Sequence, residues 1–462
     1  MKDKVSEQPT TGVKRILGFP SLFVIAIGVV CAQSCFVSTL QGAGIGGATF
    51  FIALMIGFVL TLCYVSSYSE LSLMMPKAGS ISTYTAVAMG HFPAIIATLA
   101  GYIAPLIFGG PAELLLVDYI LDVVYPGTFS HVGLILLLVL TALNLLGINI
   151  FSTVQNILTY TMLVALLVVG FAGFNSATAA GAVPAALWDG FIHTGPGVFS
   201  LVVLAIWAFL SVEFICPLIE ESKRPEKNIP KAMFAAAIVI LIIHSLVAYA
   251  GMRQVPGEQL VQSNIPHAVL VDQLFGNAGR LIIAVITITT TAGLINSVLA
   301  TIPRMLYGMA HHKQLPPIFM KIHPKWKTPW FGILFLAISI ILPLLILGNA
   351  KDVLILLVIS SATIWLLTYI IAHIDVIILR IKYPHFNRPF KSRFYPWPQL
   401  TGIAGMGYAI INNAPTPELI SKVYANAALF VGISAIYAFF WVRYKMKKGL
   451  FEPEPIEQAI KD

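Results

Sequence analysis

The sequence predicts an all-α polytopic membrane protein of about twelve transmembrane helices, and three observations carry that reading. The chain has 462 residues, of which 58% are hydrophobic and 10% charged, with a mean hydropathy of +0.87. A soluble domain carries about 25% charged residues, so that class is excluded. The apolar residues fall into runs long enough to cross a bilayer, which takes about 20 residues as a helix. Lysine and arginine collect in alternate connecting segments.

Taken in order, the apolar runs cover 18–40, 47–74, 93–123, 132–146, 148–174 and 198–219. They continue over 232–251, 281–310, 331–347, 353–381, 400–411 and 425–442, with the eleventh the weakest by length. Each must satisfy its backbone within the segment, so a bundle of helices follows. The polar, basic start of the chain runs into span one with no small-residue cleavage site, which reads as an uncleaved first span.

Basic residues set the expected orientation. Lys14 and Arg15 precede span one, Lys77 follows span two, and Lys223, Arg224, Lys227 and Lys231 follow span six. Lys313 to Lys327 after span eight, Arg380 to Arg393 after span ten, and Arg443 to Lys448 after span twelve continue the pattern. The opposite loops hold little beyond Arg253, Arg280, Lys351 and Lys422. All the rich segments share one side if both termini are cytoplasmic. That asymmetry accounts for the net charge of +8 without nucleic acid. The aromatic, proline-containing basic loops after spans eight and ten read as contacts to anionic membrane lipid. Cys31, Cys35, Cys63 and Cys216 lie in apolar runs without CxxC spacing, so neither a disulfide framework nor a metal site is expected.

Function is sought where polar groups enter the spans. Glu213 is a carboxylate inside an apolar, aromatic run, and such a residue is a functional-site candidate by default, against plain packing. In span one, Gly28 to Ser34 (Gly-Val-Val-Cys-Ala-Gln-Ser) puts small and polar residues at mid-membrane depth. Two readings are open there. An interrupted helix would free backbone N–H groups near Val30, Ala32, Gln33 and Ser34 for an anionic group; alternatively the small residues form a helix-packing face. In span six, a break at Trp207, Ala208, Phe209 and Ser211 would leave carbonyls for an ammonium, with rings for a cation, or the aromatics are ordinary core residues. Glu113 is a second intramembrane acid, in span three, and suits an amine or a structural partner such as Arg304. Thr287 and Thr289 to Thr291 in span eight offer hydroxyls for sodium or bond their own helix. Lone His244 and His373 read as packing residues, and Asp118, Asp122 and Asp375 as solvated or paired. No nucleophile–base pair or metal cluster is found, so no catalytic residue and no cofactor are expected.

These residues carry a resemblance. Trp207-Ala208-Phe209 before Glu213, then Glu220-Glu221, Arg224-Pro225 and Ile229-Pro230-Lys231-Ala232, resembles the sixth span of the amino acid–polyamine–organocation permeases. Tyr68-Ser69-Glu70-Leu71 with Pro76-Lys77-Ala78-Gly79-Ser80 and Tyr84 is similar to the family's loop after span two. Gln155-Asn156 in span five, Asn296 with Arg304 to Ala310 in span eight, and His323 to Pro329 before span nine match in order. The resemblance covers about residues 15 to 445. It implies a leucine-transporter-type fold: a cytoplasmic tail 1–16, inverted five-helix repeats at 17–174 and 196–382, peripheral spans in 397–443 and a cytoplasmic tail 444–462.

It also implies a secondary transporter, not an enzyme, in the cytoplasmic (inner) membrane, moving an amino acid or related amine by alternating access. A polyamine or organic-amine carrier or exchanger is the alternative. The solute would sit between spans one, three, six and eight, with Asn296 the span-eight candidate. Two departures bear on chemistry. The family's Gly-Ser-Gly in span one is Ala32-Gln33-Ser34 here, and the lysine that proton-coupled members carry after the span-five Gln-Asn is Met162. The coupling ion, proton or sodium, is left open.

Overall fold

The computed structural model describes residues 15–179, 181, 197–347, 351–413 and 417–461. Lys2, Lys4 and Lys14, at the basic start of the chain, lie outside the described residues. The described chain is helical, with one isolated bridge between Leu17 and Ser222.

The helices follow the apolar runs, so the spans keep their numbers. Span two is Phe50–Met74, four Val132–Leu145, five Ile148–Asn175, seven Pro225–Gln254 and eight Gly279–His311. Nine is Trp330–Leu347, ten Lys351–Lys382, eleven Trp397–Ile411, and twelve Pro417–Phe440 with a π turn at Trp441–Met446. Among the described residues, eight segments are long and apolar enough to cross a membrane, with three shorter apolar helices beside them. Span eleven, 15 residues long, belongs to neither group. Span seven starts seven residues before its apolar run (232 − 225), with Pro225 in its first turn. Proline suits a first helical turn, where no N–H is needed, and the polar turn that follows is invisible to hydropathy.

Spans one, three and six are not plain α-helices. Span one is Phe19–Val30 and Gln33–Gly46, separated by Cys31 and an extended Ala32 with ψ 158°. Ala32 N donates to Val30 O at 2.8 Å, a three-residue turn replacing the helical bond just after the β-branched pair Val29 and Val30. Span six is helical over Gly197–Trp207, then turns through 208–211. Ser211 sits in the left-handed region (φ 85°), and the chain continues as a 3-10 stretch, Val212–Glu221. A 3-10 run of ten residues is unusually long and marks either a hinge or a strained sequence. Span three, His91–Thr98 and Ala104–Val124, is joined through a π turn at Leu99–Ile103.

Contacts tie the bundle together at both ends. At the basic end, Ile16 and Leu17 N–H groups donate to Glu221 O at 2.9 and 3.0 Å, and Lys223 N donates to Leu17 O at 2.8 Å. Arg304 grips the Glu221 carboxylate at 2.5 and 2.9 Å. Ala78 N donates to Glu220 Oε1 at 3.1 Å. Gly308 of span eight lies against the loop after span two so closely that a Cβ there would be 2.2 Å from Gly79 N. Gly308→Ala is therefore expected to push the two backbones apart and cost about 1–3 kcal/mol, the usual range for overpacking. Thermal unfolding of the detergent-solubilised protein checks this, and an unchanged midpoint would refute it. At the other end, Gln41 Nε2 donates to Ser263 O at 3.3 Å, and helix Gly257–Gln262 packs on the second half of span one.

The segment after span twelve docks back on the basic end. Phe92 N donates to Leu450 O at 3.2 Å, Glu454 N donates to Ala86 O at 3.0 Å, and Ile456 and Ala459 are buried. Glu454 lies 3.3 Å from His312, 3.6 Å from His91 and 3.8 Å from Lys448. Burial alone would raise its carboxyl; His312, His91 and Lys448 outweigh that and hold it below its ordinary value. A group lowered in this way stabilises the docked state above its ordinary value and stops doing so as pH falls through the lowered one.

Several polar residues settle as structural partners. Arg380 and Arg388, in and after span ten, close on Glu70 of span two at 2.6 and 3.2 Å. Part of this basic cluster therefore clamps the bundle rather than reaching for lipid. His244 meets Thr39 Oγ1 at 2.7 Å and stacks on Phe36, and His373 meets Ser67 Oγ at 2.9 Å. Asp118 and Asp122 accept from Gly133 N and Gly127 N. Asp375, expected to be solvated or paired, is fully buried and accepts from Thr85 Oγ1 at 2.7 Å. The four cysteines are buried and free.

Candidate functional site at two broken helices

The break in span one exposes the first N–H groups of a helix, and the structure shows what they meet. Gln33 N donates to Glu113 Oε2 and Ser34 N to Glu113 Oε1, each at 3.1 Å. One carboxylate thus spans two successive amides at a helix start, where backbone donors and the helix dipole both favour negative charge. The Gln33 side chain donates through Nε2 to Thr291 Oγ1 of span eight at 2.6 Å, and its Oε1 is buried without a donor.

The break in span six faces this set. Its freed carbonyls are taken by side chains: Leu204 O by Ser38 Oγ at 2.9 Å, Trp207 O by the Cys35 thiol at 3.4 Å, and Phe209 O by Tyr64 Oη at 2.5 Å. The Trp207 indole donates to Ser34 Oγ at 3.4 Å, and both residues are partly exposed.

Two residues past the turn, Glu213 lies in a neutral, largely aromatic pocket. It accepts from Tyr102 Oη at 3.0 Å, Tyr369 Oη at 2.9 Å and Trp365 Nε1 at 3.5 Å. Tyr369 Oη itself accepts from Ser211 N at 2.8 Å, so one hydroxyl links the turn to the acid. Tyr68 shares a 2.7 Å hydrogen bond with Tyr102, and Tyr64 stacks on Tyr369 with centroids 4.3 Å apart. Tyr102 belongs to the π turn of span three. Among the described residues, neither Glu113 nor Glu213 forms an ion pair, whereas Glu70 and Glu221 both do. Unpaired negative charge this deeply buried costs several kcal/mol, roughly, so each acid takes either a proton or a cation.

The sequence candidates divide accordingly. Gln33, Ser34, Glu113 and Trp207 come together at the first break. Val30 contributes the carbonyl that closes the Ala32 turn, and Ala208, Phe209 and Ser211 form the second turn, with Glu213 just beyond it. Asn296 is not brought to this cluster. Its amide takes Asn144 Nδ2 and donates to Gln155 Oε1, both at 2.8 Å, joining spans four, five and eight. Thr289 and Thr290 bond back to their own helix at 2.6 and 2.7 Å. Arg304, weighed as a partner for the buried acids, belongs to Glu221. Sequence reasoning missed Tyr102, Trp365 and Tyr369. Their signal is an amphipathic ring in mid-span, whose polar tip needs a partner when buried. An open hollow of about 400 Å³ lies elsewhere, between spans seven and eight, lined by Pro256, Glu258, Gln259, Gln262, Ser263 and Val269. It touches none of the buried acids.

Comparison with known proteins agrees with this architecture. The model of the family described as amino acid permease matches residues 17–442. The serine/threonine exchanger SteT of Bacillus subtilis (strain 168) is 24% identical, covering 95% of this chain and 98% of its own length. The branched-chain amino acid permease BcaP of the same organism is 27% identical over 83% and 85%. The gamma-aminobutyric acid permease of Escherichia coli (strain K12) is 25% identical over 89% and 90%. With a family model spanning nearly its whole length and a bundle of membrane-crossing helices beneath it, the chain belongs to the amino acid permease family and is a multi-pass membrane transporter, not an enzyme.

Proposed function

We propose that this permease carries an amino acid or a closely related amine across the cytoplasmic membrane by alternating access, with both termini cytoplasmic. Spans one to five (17–174) and six to ten (196–382) act as inverted repeats, and 397–443 holds the two peripheral spans. The single observation that carries the reading is the paired interruption of spans one and six, the first span of each proposed repeat. Half-helices of this kind let backbone groups bind solute without leaving a polar gap facing lipid. Met162 supplies no amine in span five, so exchange, as named for the serine/threonine exchanger this chain resembles, or coupling through another acid is the favoured mode.

The test is uptake of labelled amino acids and amines into proteoliposomes, with and without internal solute and across imposed pH and sodium gradients. Saturable uptake that accelerates with internal solute is expected. If folded, reconstituted protein takes up nothing from the panel, the transport reading fails; strict dependence on a proton gradient removes pure exchange.

A further inference from the structure

The amide pair at the start of the second half of span one is already occupied by the protein's own carboxylate. From this we infer that the transported solute is an organic amine without a carboxylate, held through its ammonium by Glu113 and Gln33. The inference rests on the permease reading and narrows its substrate class.

Gln33 N and Ser34 N each hold one oxygen of Glu113 at 3.1 Å, the two-point grip a free carboxylate would take. Glu113 is buried, so the grip is sheltered from water. A solute carboxylate would have to displace it and then share the site with a like charge, which is unfavourable at any dielectric. The remaining groups are mainly acceptors. Gln33 Nε2 is committed to Thr291, which leaves the buried Oε1 with no donor. A Glu113 lone pair beyond the two amides and the Ser34 hydroxyl, and the Trp207 carbonyl, met so far by a thiol at 3.4 Å, complete the set. Ammonium is all donor, and the partly exposed Trp207 offers a ring face to a cation.

Where the two acids are ionised, charge balance points the same way. Glu113 and Glu213 lie in the bundle without a basic partner among the described residues. A zwitterionic α-amino acid brings no net charge to that pair, while an amine brings one positive charge and a diamine two. On this reading Glu113 determines specificity by standing where a substrate's own carboxylate would bind.

The experiment uses the full-length protein and pairs of compounds that differ only in the α-carboxylate: putrescine and ornithine, ethanolamine and serine, tyramine and tyrosine. Thermal stabilisation and proteoliposome uptake are measured for each, because a ligand bound to the folded state raises its apparent stability. At least one amine is expected to bind about tenfold or more tightly than its parent amino acid. Glu113→Ala should empty the amide pair, weaken the amine and improve the amino acid. Glu113→Gln, which keeps one acceptor oxygen, covers the case in which the alanine variant does not fold, and should weaken the amine by itself. A wild type that takes up an amino acid as well as or better than its amine overturns the inference and leaves the permease standing. A variant that loses both members of a pair equally assigns Glu113 a purely structural role. No uptake of either member by folded protein overturns both readings.

Discussion

Glu213→Gln is expected to lower uptake per folded protein by about tenfold or more, roughly 1.4 kcal/mol in the transport step, while leaving the fold intact. The amide keeps the two shorter hydrogen bonds because Tyr102 can reverse its own, and gives up only the 3.5 Å contact of the Trp365 indole with the same oxygen. The Tyr102 hydroxyl is shared with Tyr68 at 2.7 Å, so the substituted amide nitrogen can donate to it while Tyr369 still donates to the amide oxygen. What disappears is the charge, and with it the response of span six to a cation beside its turn. Glu213→Ala removes the acceptor as well: Tyr102 can turn to Tyr68, but the Tyr369 hydroxyl proton and the Trp365 indole N–H lose theirs, at about 1–3 kcal/mol for each group left unsatisfied. The comparison is initial uptake normalised to monodisperse protein, with thermal unfolding measured alongside. Wild-type uptake by Glu213→Gln across the pH range would make the carboxylate a packing residue.

The second large effect is expected at the basic end. Arg304 and Glu221 form a bidentate pair at 2.5 and 2.9 Å with both side chains buried, and Arg304 also donates to Ala300 O at 2.5 Å. Removing one member strands a charge, so Arg304→Met or Glu221→Gln should each cost about 3–5 kcal/mol. The double variant strands neither charge and should recover most of that loss. Thermal unfolding of all four proteins gives the coupling directly. Additive losses would show that the two groups do not depend on each other. The consequence reaches function because the backbone of Glu221 also ties down Ile16 and Leu17 at the entry to span one. Loosening the pair should therefore loosen both broken helices at once.

Much of this architecture is legible in the sequence because lipid imposes a one-dimensional rule: a run of apolar residues of bilayer length must be a helix. The interruptions of spans one and six show through for a related reason, since small and polar residues at mid-depth make a continuous helix a poor solution. Where the rule is silent, so is the sequence. Glu113 meets residues 79 and 80 positions away, Arg304 meets one 83 away, and Glu70 meets Arg380 across 310. Composition and period carry no distances of that kind. Asn296 shows the limit most plainly. A buried amide in span eight reads equally as a ligand or as a strut, and its contacts with Asn144 and Gln155 cannot be read from composition.

The π turn of span three has a bearing on how relatives are compared. Five residues, Leu99–Ile103, wind more loosely than the α-helix on either side, which aims Tyr102 at Glu213 and sets the face on which Glu113 emerges a few turns later. Each residue of an α-helix turns the chain by about 100°, so one residue more or fewer before that point rotates everything beyond it onto another face. A relative whose span three is uniformly α-helical can therefore match this chain letter for letter around Glu113 and still present a different side chain to the broken helix. Between proteins 24–28% identical, the gap that repairs such a shift is a single character. Equivalence in this span is then a question of counting residues through the turn, and shared letters alone do not establish it.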